Sequence, residues 1–135
     1  MRICVIDGQG GGIGSVLIKA MRAELGQSAE ILALGTNAAA TSQMMKVGAN
    51  RGASGENAIC HSVRKADVIA GPLGIILANA MMGEVSSRIA EAVSSSPATK
   101  LLLPLTRERV EVIGAVAEPL PHLVDKLVHR LKELK

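Results

Sequence analysis

The chain of 135 residues contains no phenylalanine, tyrosine or tryptophan. Its core must therefore be built from aliphatic and sulfur-containing side chains, and no aromatic ring is available to stack on a base or a flavin. The lack of tyrosine excludes any mechanism that needs a phenol as acid or base. Nucleic-acid modules that depend on aromatic platforms are disfavoured for the same reason, so we expect no nucleic-acid partner.

Cysteine and charge are also sparse. Cys4 and Cys60 show no local pairing pattern, which is typical of reduced thiols in a cytoplasmic protein. Residues 68–83 carry no charge, but this run is shorter than a membrane span and is interrupted by glycine and proline. Met1 and Arg2 lead directly into an apolar run, which predicts no secretion signal. We therefore expect one globular domain over residues 1–135, cytoplasmic and without a membrane partner.

Apolar runs alternate with amphipathic helical patterns along the chain. Runs at 3–6, 31–34, 68–70 and 101–103 predict buried strands, and residues 110–116 predict a fifth. Predicted helices cover 13–25, 38–47 with Asn37 as cap, 56–65, a long stretch from 73 to about 93, and the segment from 120 onward. Residues 48–55 are predicted to form a loop.

This alternation predicts an α/β fold, a three-layer, Rossmann-like doubly wound sheet of about five strands. Only a few residues around Thr106 separate the last two predicted strands. That is too short for a parallel crossover, so we expect a mostly parallel sheet with an antiparallel edge strand.

A glycine-rich loop, Gly-Gln-Gly-Gly-Gly-Ile-Gly at residues 8–14, links the first strand to the first helix. N–H groups at a helix N-terminus bind anions, and glycine lets a ligand come close to the backbone. Two other glycine-bearing turns, at 35–37 and 71–74, are expected at the same sheet edge. We predict a site for a nucleotide or other small phosphorylated ligand, formed by Asp7, Gly8, Gln9, Gly10, Gly11, Gly12, Ile13, Gly14, Thr36, Asn37, Gly71 and Pro72.

The loop matches known phosphate-binding fingerprints only in part. G-x-G-x-x-G is absent, and no Gly-Lys-Ser/Thr follows the glycines. The spacing of Gly8, Gly12 and Gly14 resembles that of short-chain dehydrogenases, whose catalytic tyrosine this chain lacks. No acid ends the second strand, which disfavours an NAD(P)-like cofactor without excluding it. An alternative is that the glycines only allow the first helix to pack closely on the sheet.

Several charged residues are further candidates for chemistry. Asp7 has three interpretations: it binds Mg²⁺, accepts a hydroxyl of the ligand, or caps N–H groups of the loop. Glu56 is a second candidate acid, and Glu84 is either an acid at the pocket rim or a simple helix charge. Arg51 and Arg107 are candidate phosphate ligands. Cysteine and histidine show no metal-ligand spacing, so we expect no metal site.

Five segments in their order resemble a small bacterial family, Domain of Unknown Function 3842: residues 5–14, 33–37, 55–59, 71–75 and 83–84. The resemblance covers essentially the whole chain and implies a stand-alone Rossmann-like protein. It implies no activity and no catalytic residue. A different class of function is an interaction protein, a homo-oligomer that uses an uncharged helix over 73–82 and binds no small molecule.

Overall fold

The computed structural model describes residues 1–134 and shows a five-stranded sheet between two layers of helices. The strands are β1 (Arg2–Asp7), β2 (Glu30–Gly35), β3 (Arg51–Ser54), β4 (Val68–Pro72) and β5 (Thr99–Leu103). The helices are α1 (Gly12–Leu25), α2 (Ala38–Lys46), α3 (Glu56–Ser62), α4 (Ser87–Ser95) and α5 (Leu120–Glu133). Short 3₁₀ turns cover Val63–Lys65 and Leu73–Ile76. Within the described range, no helix is both long and apolar enough to cross a membrane.

The strand order is β3-β2-β1-β4-β5, and every neighbouring pair is parallel. The α/β class and the doubly wound sheet are therefore confirmed. The expected antiparallel edge strand is wrong, because both edge strands, β3 and β5, run parallel to their neighbours.

Two apolar cores lie on opposite faces of the sheet. Alternate residues of β1 point to different sides: Ile3 and Val5 join the core formed with α1, α2 and α5, whereas Cys4 and Ile6 join the core formed with α3 and α4. This is the period-two alternation of a strand that is buried on both faces. Without aromatic rings, both cores are packed from leucine, isoleucine, valine, alanine and methionine together with Cys4.

The edge strand β3 lies in the segment for which the sequence predicted a loop. The Asn50 side chain accepts a hydrogen bond from the Ile31 N–H at 2.7 Å, and the Asn50 N–H donates to the Ile31 carbonyl at 2.8 Å. Arg22 also donates to the Asn50 side chain and to the Gly48 carbonyl. These polar contacts place the exposed strand beside β2 without any buried side chain in β3.

Two other expectations about secondary structure are wrong. Residues 110–116 form exposed irregular structure in place of a strand, since Pro104 follows β5 directly and the chain leaves the sheet there. The long helix expected from 73 to 93 is replaced by a 3₁₀ turn, a series of tight turns and the short helix α4. Left-handed backbone at Asn79, Met81, Met82 and Gly83 prevents a continuous helix there.

Candidate functional site

The glycine loop lies at the point where the sheet reverses its strand order. From β1 the chain proceeds outward to β2 and β3, then returns to β4 on the other side of β1. Crevices at such a switch point, beyond the carboxyl ends of the strands, bind ligands in doubly wound folds. A cavity of about 540 Å³ opens here, and its lining residues are Asp7, Gly8, Gln9, Gly10, Gly11, Gly12, Ile13, Pro72, Gly74, Met81, Met82, Leu105, Thr106, Arg107 and Glu108.

Asp7, the last residue of β1, caps the loop from inside. Its carboxylate oxygens accept the N–H groups of Gly8 and Gly14, each at 2.8 Å. Burial raises the pKa of Asp7 above its ordinary value, although hydrogen bonds from Gly14, Gly8 and Ile13 oppose that effect. Of the three interpretations of Asp7, the structure shows the cap on backbone N–H groups.

The glycines of the loop fall into two groups. A Cβ atom would lie 2.5 Å from Thr36 Oγ1 at Gly8, 2.8 Å from the Ala40 carbonyl oxygen at Gly11, and 2.5 Å from Met44 Sδ at Gly14. These three positions are glycine because neighbouring elements pack against them. Close packing within the protein therefore accounts for three of the five glycines, although the nearest neighbours of two of them lie in α2 and that of Gly8 lies in the turn after β2, and not in the sheet as expected.

Gly10 and Gly12 are different. A Cβ atom at either position would meet nothing within 4 Å, and neither residue has a positive φ. Neither N–H takes part in a hydrogen bond within the part of the chain that the structure describes. Both residues line the cavity. Packing and backbone conformation thus give no reason for glycine at positions 10 and 12.

Glu84 connects the loop to the end of β2. Its Oε1 accepts hydrogen bonds from the Gln9 N–H at 2.8 Å, the Thr36 hydroxyl at 2.6 Å and the Asn37 side-chain amide at 2.9 Å. Partial burial raises the pKa of Glu84, but the hydrogen bonds from Thr36, Gln9 and Asn37 outweigh it and hold the pKa below its ordinary value. Glu84 is therefore a charged acceptor between the two turns, and not a simple helix charge.

The segment before Glu84, residues 79–83, forms a strap along one wall of the cavity. Asn79, Met81 and Met82 adopt φ values of 69°, 58° and 58°, a left-handed backbone that is costly for residues with a Cβ. The Glu108 carboxylate accepts the Met81 N–H at 3.2 Å, which joins the strap to the loop after β5. Surrounding contacts thus hold this strained backbone at the cavity.

The structure brings most of the predicted site residues together, but not all. Residues 7–13 and Pro72 line the cavity, whereas Gly14 and Gly71 are buried beneath it. Thr36 and Asn37 lie beside the loop with their side chains bonded to Glu84, outside the cavity lining.

Of the charged candidates, only Asp7 and Arg107 reach the cavity. Arg51 pairs with Glu30 on the sheet edge at 3.3 Å, and Glu56 accepts a hydrogen bond from the Ser86 hydroxyl at 2.5 Å. Within residues 1–134, no group of three or more histidine, cysteine or acidic residues is arranged to hold a metal ion.

Sequence reasoning missed the cavity wall formed by Met81, Met82, Leu105 and Glu108. The sequence signal for it was the fourth predicted strand: if that strand is parallel, its carboxyl end brings residues 105–108 to the same edge as the glycine loop.

Comparison with known proteins places this chain in a family. The family described as Domain of unknown function (DUF3842) matches residues 2–135, so the chain belongs to that family. None of the curated proteins matches it in sequence. A solved structure, a dodecameric FMN-dependent UbiX-like decarboxylase from Escherichia coli O157:H7, is 15% identical with a TM-score of 0.44, over 98% of this chain and 92% of that one.

Proposed function

We propose that this member of the family binds a small phosphorylated molecule, such as a nucleotide, in the cavity of the glycine loop. The phosphate lies against the N–H groups of Gly10 and Gly12 at the N-terminus of α1. The observation that carries this proposal is that these two glycines line the cavity with open space above them and with N–H groups that form no hydrogen bond in the described chain.

The side chains that line the cavity carry two negative charges, at Asp7 and Glu108, and one positive charge, at Arg107, so the helix N-terminus has to supply much of the attraction for an anion. The N-terminus of a helix carries about half a positive charge, but the Asp7 carboxylate already accepts the Gly14 N–H in the first turn of α1, as well as the Gly8 N–H at the start of the loop. Arg107 is the one cation among the lining residues of the described chain. A guanidinium pairs with phosphate through two parallel hydrogen bonds, so we assign Arg107 to the phosphate as its counter-charge.

The remainder of the cavity suits a less polar group. Met81, Met82, Leu105 and Pro72 supply an apolar wall opposite the loop. Thioether side chains are flexible and polarisable, and they adapt to flat or irregular ligands. A ligand with phosphate at one end and an apolar or ring-containing body at the other matches both sides of the cavity.

The test compares Gly12→Val with Ala23→Val, which adds bulk to an exposed position at the far end of the same helix. Thermal unfolding is followed by circular dichroism with a panel of nucleotides and sugar phosphates. We expect one class to raise the Tm of the wild type and of Ala23→Val by several degrees at about one hundred times Kd, and to leave Gly12→Val unchanged. No shift in the wild type, or an equal shift in Gly12→Val, overturns the proposal.

A second candidate function is self-association without a ligand. Residues 110–116 expose four apolar side chains, with Ile113 94% and Val116 70% accessible. Exposed apolar clusters of this kind mark protein contact surfaces. Light scattering on the wild type, Ile113→Asp and the control Ala23→Asp, at an exposed position on α1 outside this segment, tests it: an oligomer that only Ile113→Asp dissociates supports this function, and a monomeric wild type refutes it.

A further inference from the structure

We propose that Glu84 determines which ligands fit this site, because it closes the side of the loop that faces β2. The site then accepts a phosphate ester with one group attached to the phosphate, such as a mononucleotide, and excludes a dinucleotide. The body of the ligand then lies toward β4 and β5. This inference rests on the proposed function, because it concerns the same cavity.

A dinucleotide follows a defined path in this type of fold. It crosses the switch point with its pyrophosphate on the glycine loop, and an acid at the end of β2 binds the adenosine ribose. In this chain the turn after β2 presents Thr36 and Asn37, whose side chains both donate to Glu84. The acid at this place is Glu84, which directly follows the strap, and its Oε1 is already bonded to three donors of the protein.

The packing at Gly8 shows that the side chains of Thr36, Met81 and Glu84 fill the space beside the loop on the β2 side. One carbon atom added at Gly8 would lie 2.5 Å from Thr36 Oγ1, 2.6 Å from Met81 Sδ and 3.0 Å from Glu84 Oε1. A ribose is much larger than a single carbon atom. A ligand therefore reaches the end of β2 only if the Glu84 side chain leaves its three donors.

The other side of the loop is open. The cavity is lined from β4 and from the loop after β5, and none of its lining residues in the described chain belongs to β2 or to the turn after it. Its volume of about 540 Å³ is within the usual range for a small-ligand pocket. Phosphate on Gly10 and Gly12 thus leaves the ligand one direction in which to extend.

The discrimination is expected to be at least about tenfold. Displacing Glu84 breaks three hydrogen bonds to a charged acceptor, and the loss of even one bond of ordinary strength weakens binding by roughly a factor of ten. Since a dinucleotide has to displace this side chain and a mononucleotide does not, the cost applies to the dinucleotide alone.

The experiment is a titration of ¹⁵N-labelled protein by NMR with inorganic phosphate, ribose 5-phosphate, AMP, nicotinamide mononucleotide and NAD⁺. NAD⁺ joins the two mononucleotides, so its halves are matched controls. We expect chemical-shift changes at the Gly10 and Gly12 amides and at residues 105–108, and none at Thr36 and Asn37. The Kd for the better mononucleotide is expected to be at least about tenfold below that for NAD⁺.

Variants at position 84 separate the role of this side chain from general effects. Glu84→Ala is expected to tighten NAD⁺ binding by about tenfold and to extend the shifts to Thr36 and Asn37. Glu84→Gln, which keeps an acceptor oxygen of the same reach, and Glu91→Ala, at an exposed site on α4, are expected to behave like the wild type. If Glu84→Ala is too unstable to label, the wild-type titration decides alone.

The outcomes distinguish the two proposals. If no probe shifts Gly10 or Gly12, both proposals are overturned. If phosphate binds, three results overturn the assignment of Glu84 and leave the phosphate site in place. These are an affinity for NAD⁺ equal to that for the mononucleotides, no binding of any ester, and a change in the amide signals of Thr36 and Asn37 in the wild type. An unchanged affinity of Glu84→Ala for NAD⁺ also overturns it.

Discussion

Adjacent glycines of the loop are expected to respond in opposite ways to the same substitution. Gly11 has φ +71°, and a Cβ atom there would lie 2.8 Å from the Ala40 carbonyl oxygen and 2.9 Å from Ala40 Cα. Left-handed backbone costs a residue with a side chain about 1–2 kcal/mol, and forcing a methyl group against a packed backbone costs about 1–3 kcal/mol more. Gly11→Ala should therefore destabilise the protein by about 2–5 kcal/mol.

Gly12→Ala places the same methyl group one residue later, where nothing lies within 4 Å and φ is not positive. Replacing glycine by alanine at a compatible position stabilises a protein by about 0.4–1 kcal/mol, because the unfolded chain loses freedom. We therefore expect Gly12→Ala to be as stable as the wild type or slightly more so. The predicted difference between the two variants is at least about 2 kcal/mol.

Urea unfolding followed by far-ultraviolet circular dichroism measures this difference, since a chain without aromatic residues has no intrinsic fluorescence to follow. An unchanged denaturant slope is the control that both variants unfold from the same compact state. The reasoning is refuted if Gly11→Ala is as stable as the wild type, or if Gly12→Ala loses as much stability as Gly11→Ala.

Three further predictions concern pH, thiol reactivity and sheet packing. The folded-state pKa of Glu84 lies below its ordinary value, so Glu84 contributes its full stability at a pH above that ordinary value and loses this contribution as the pH falls through the folded-state pKa. The difference in unfolding free energy between the wild type and Glu84→Ala should therefore shrink between about pH 6 and about pH 3. Burial raises the pKa of the fully buried Cys4 thiol to about 11. Mass spectrometry after alkylation of the native protein should therefore find Cys60 modified and Cys4 intact, and equal labelling of both would contradict this. A Cβ at Gly71 would lie 2.3 Å from the Ile6 carbonyl oxygen, so Gly71→Ala should lower the Tm by an amount that corresponds to about 1–3 kcal/mol or more of unfolding free energy. An unchanged Tm would contradict the close approach of β4 to β1.

Elements with a strong apolar period were predictable from the sequence. The helix after the glycine loop ends at Gly26 as expected, and Asn37 caps α2 by accepting the Ala40 N–H at 2.8 Å. In both cases the local signal and the tertiary packing agree. The core strands β1, β2 and β4 were equally clear because each is a continuous apolar run.

The errors lie where backbone contacts, and not side-chain patterns, decide the structure. β3 reads Arg-Gly-Ala-Ser and has no apolar run, because its place beside β2 is determined by the ladder and by Asn50. Residues 110–116 have the β-branched content of a strand but pair with no strand inside the described chain, although β5 lies at the edge of the sheet. Propensity alone does not determine pairing.

The candidate site was predictable in place but not in detail. Glu84 stands alone at the end of an uncharged run, which is a visible signal, yet its three donors come from the loop and from the turn after β2. Such a meeting of three segments depends on the strap with its left-handed residues, for which no local sequence rule exists. The division of the glycines likewise depends on neighbours that only the folded chain supplies.

The Asp7 cap has a consequence for the kinetics of the proposed ligand binding at the loop. Because one carboxylate holds the N–H groups of Gly8 and Gly14, the two ends of the loop are fixed by the protein itself. Such a loop is preorganised: it needs no ligand to take its shape, and an incoming molecule loses little affinity to ordering the backbone. Changes in affinity among loop variants should then appear mainly in the rate at which the ligand leaves.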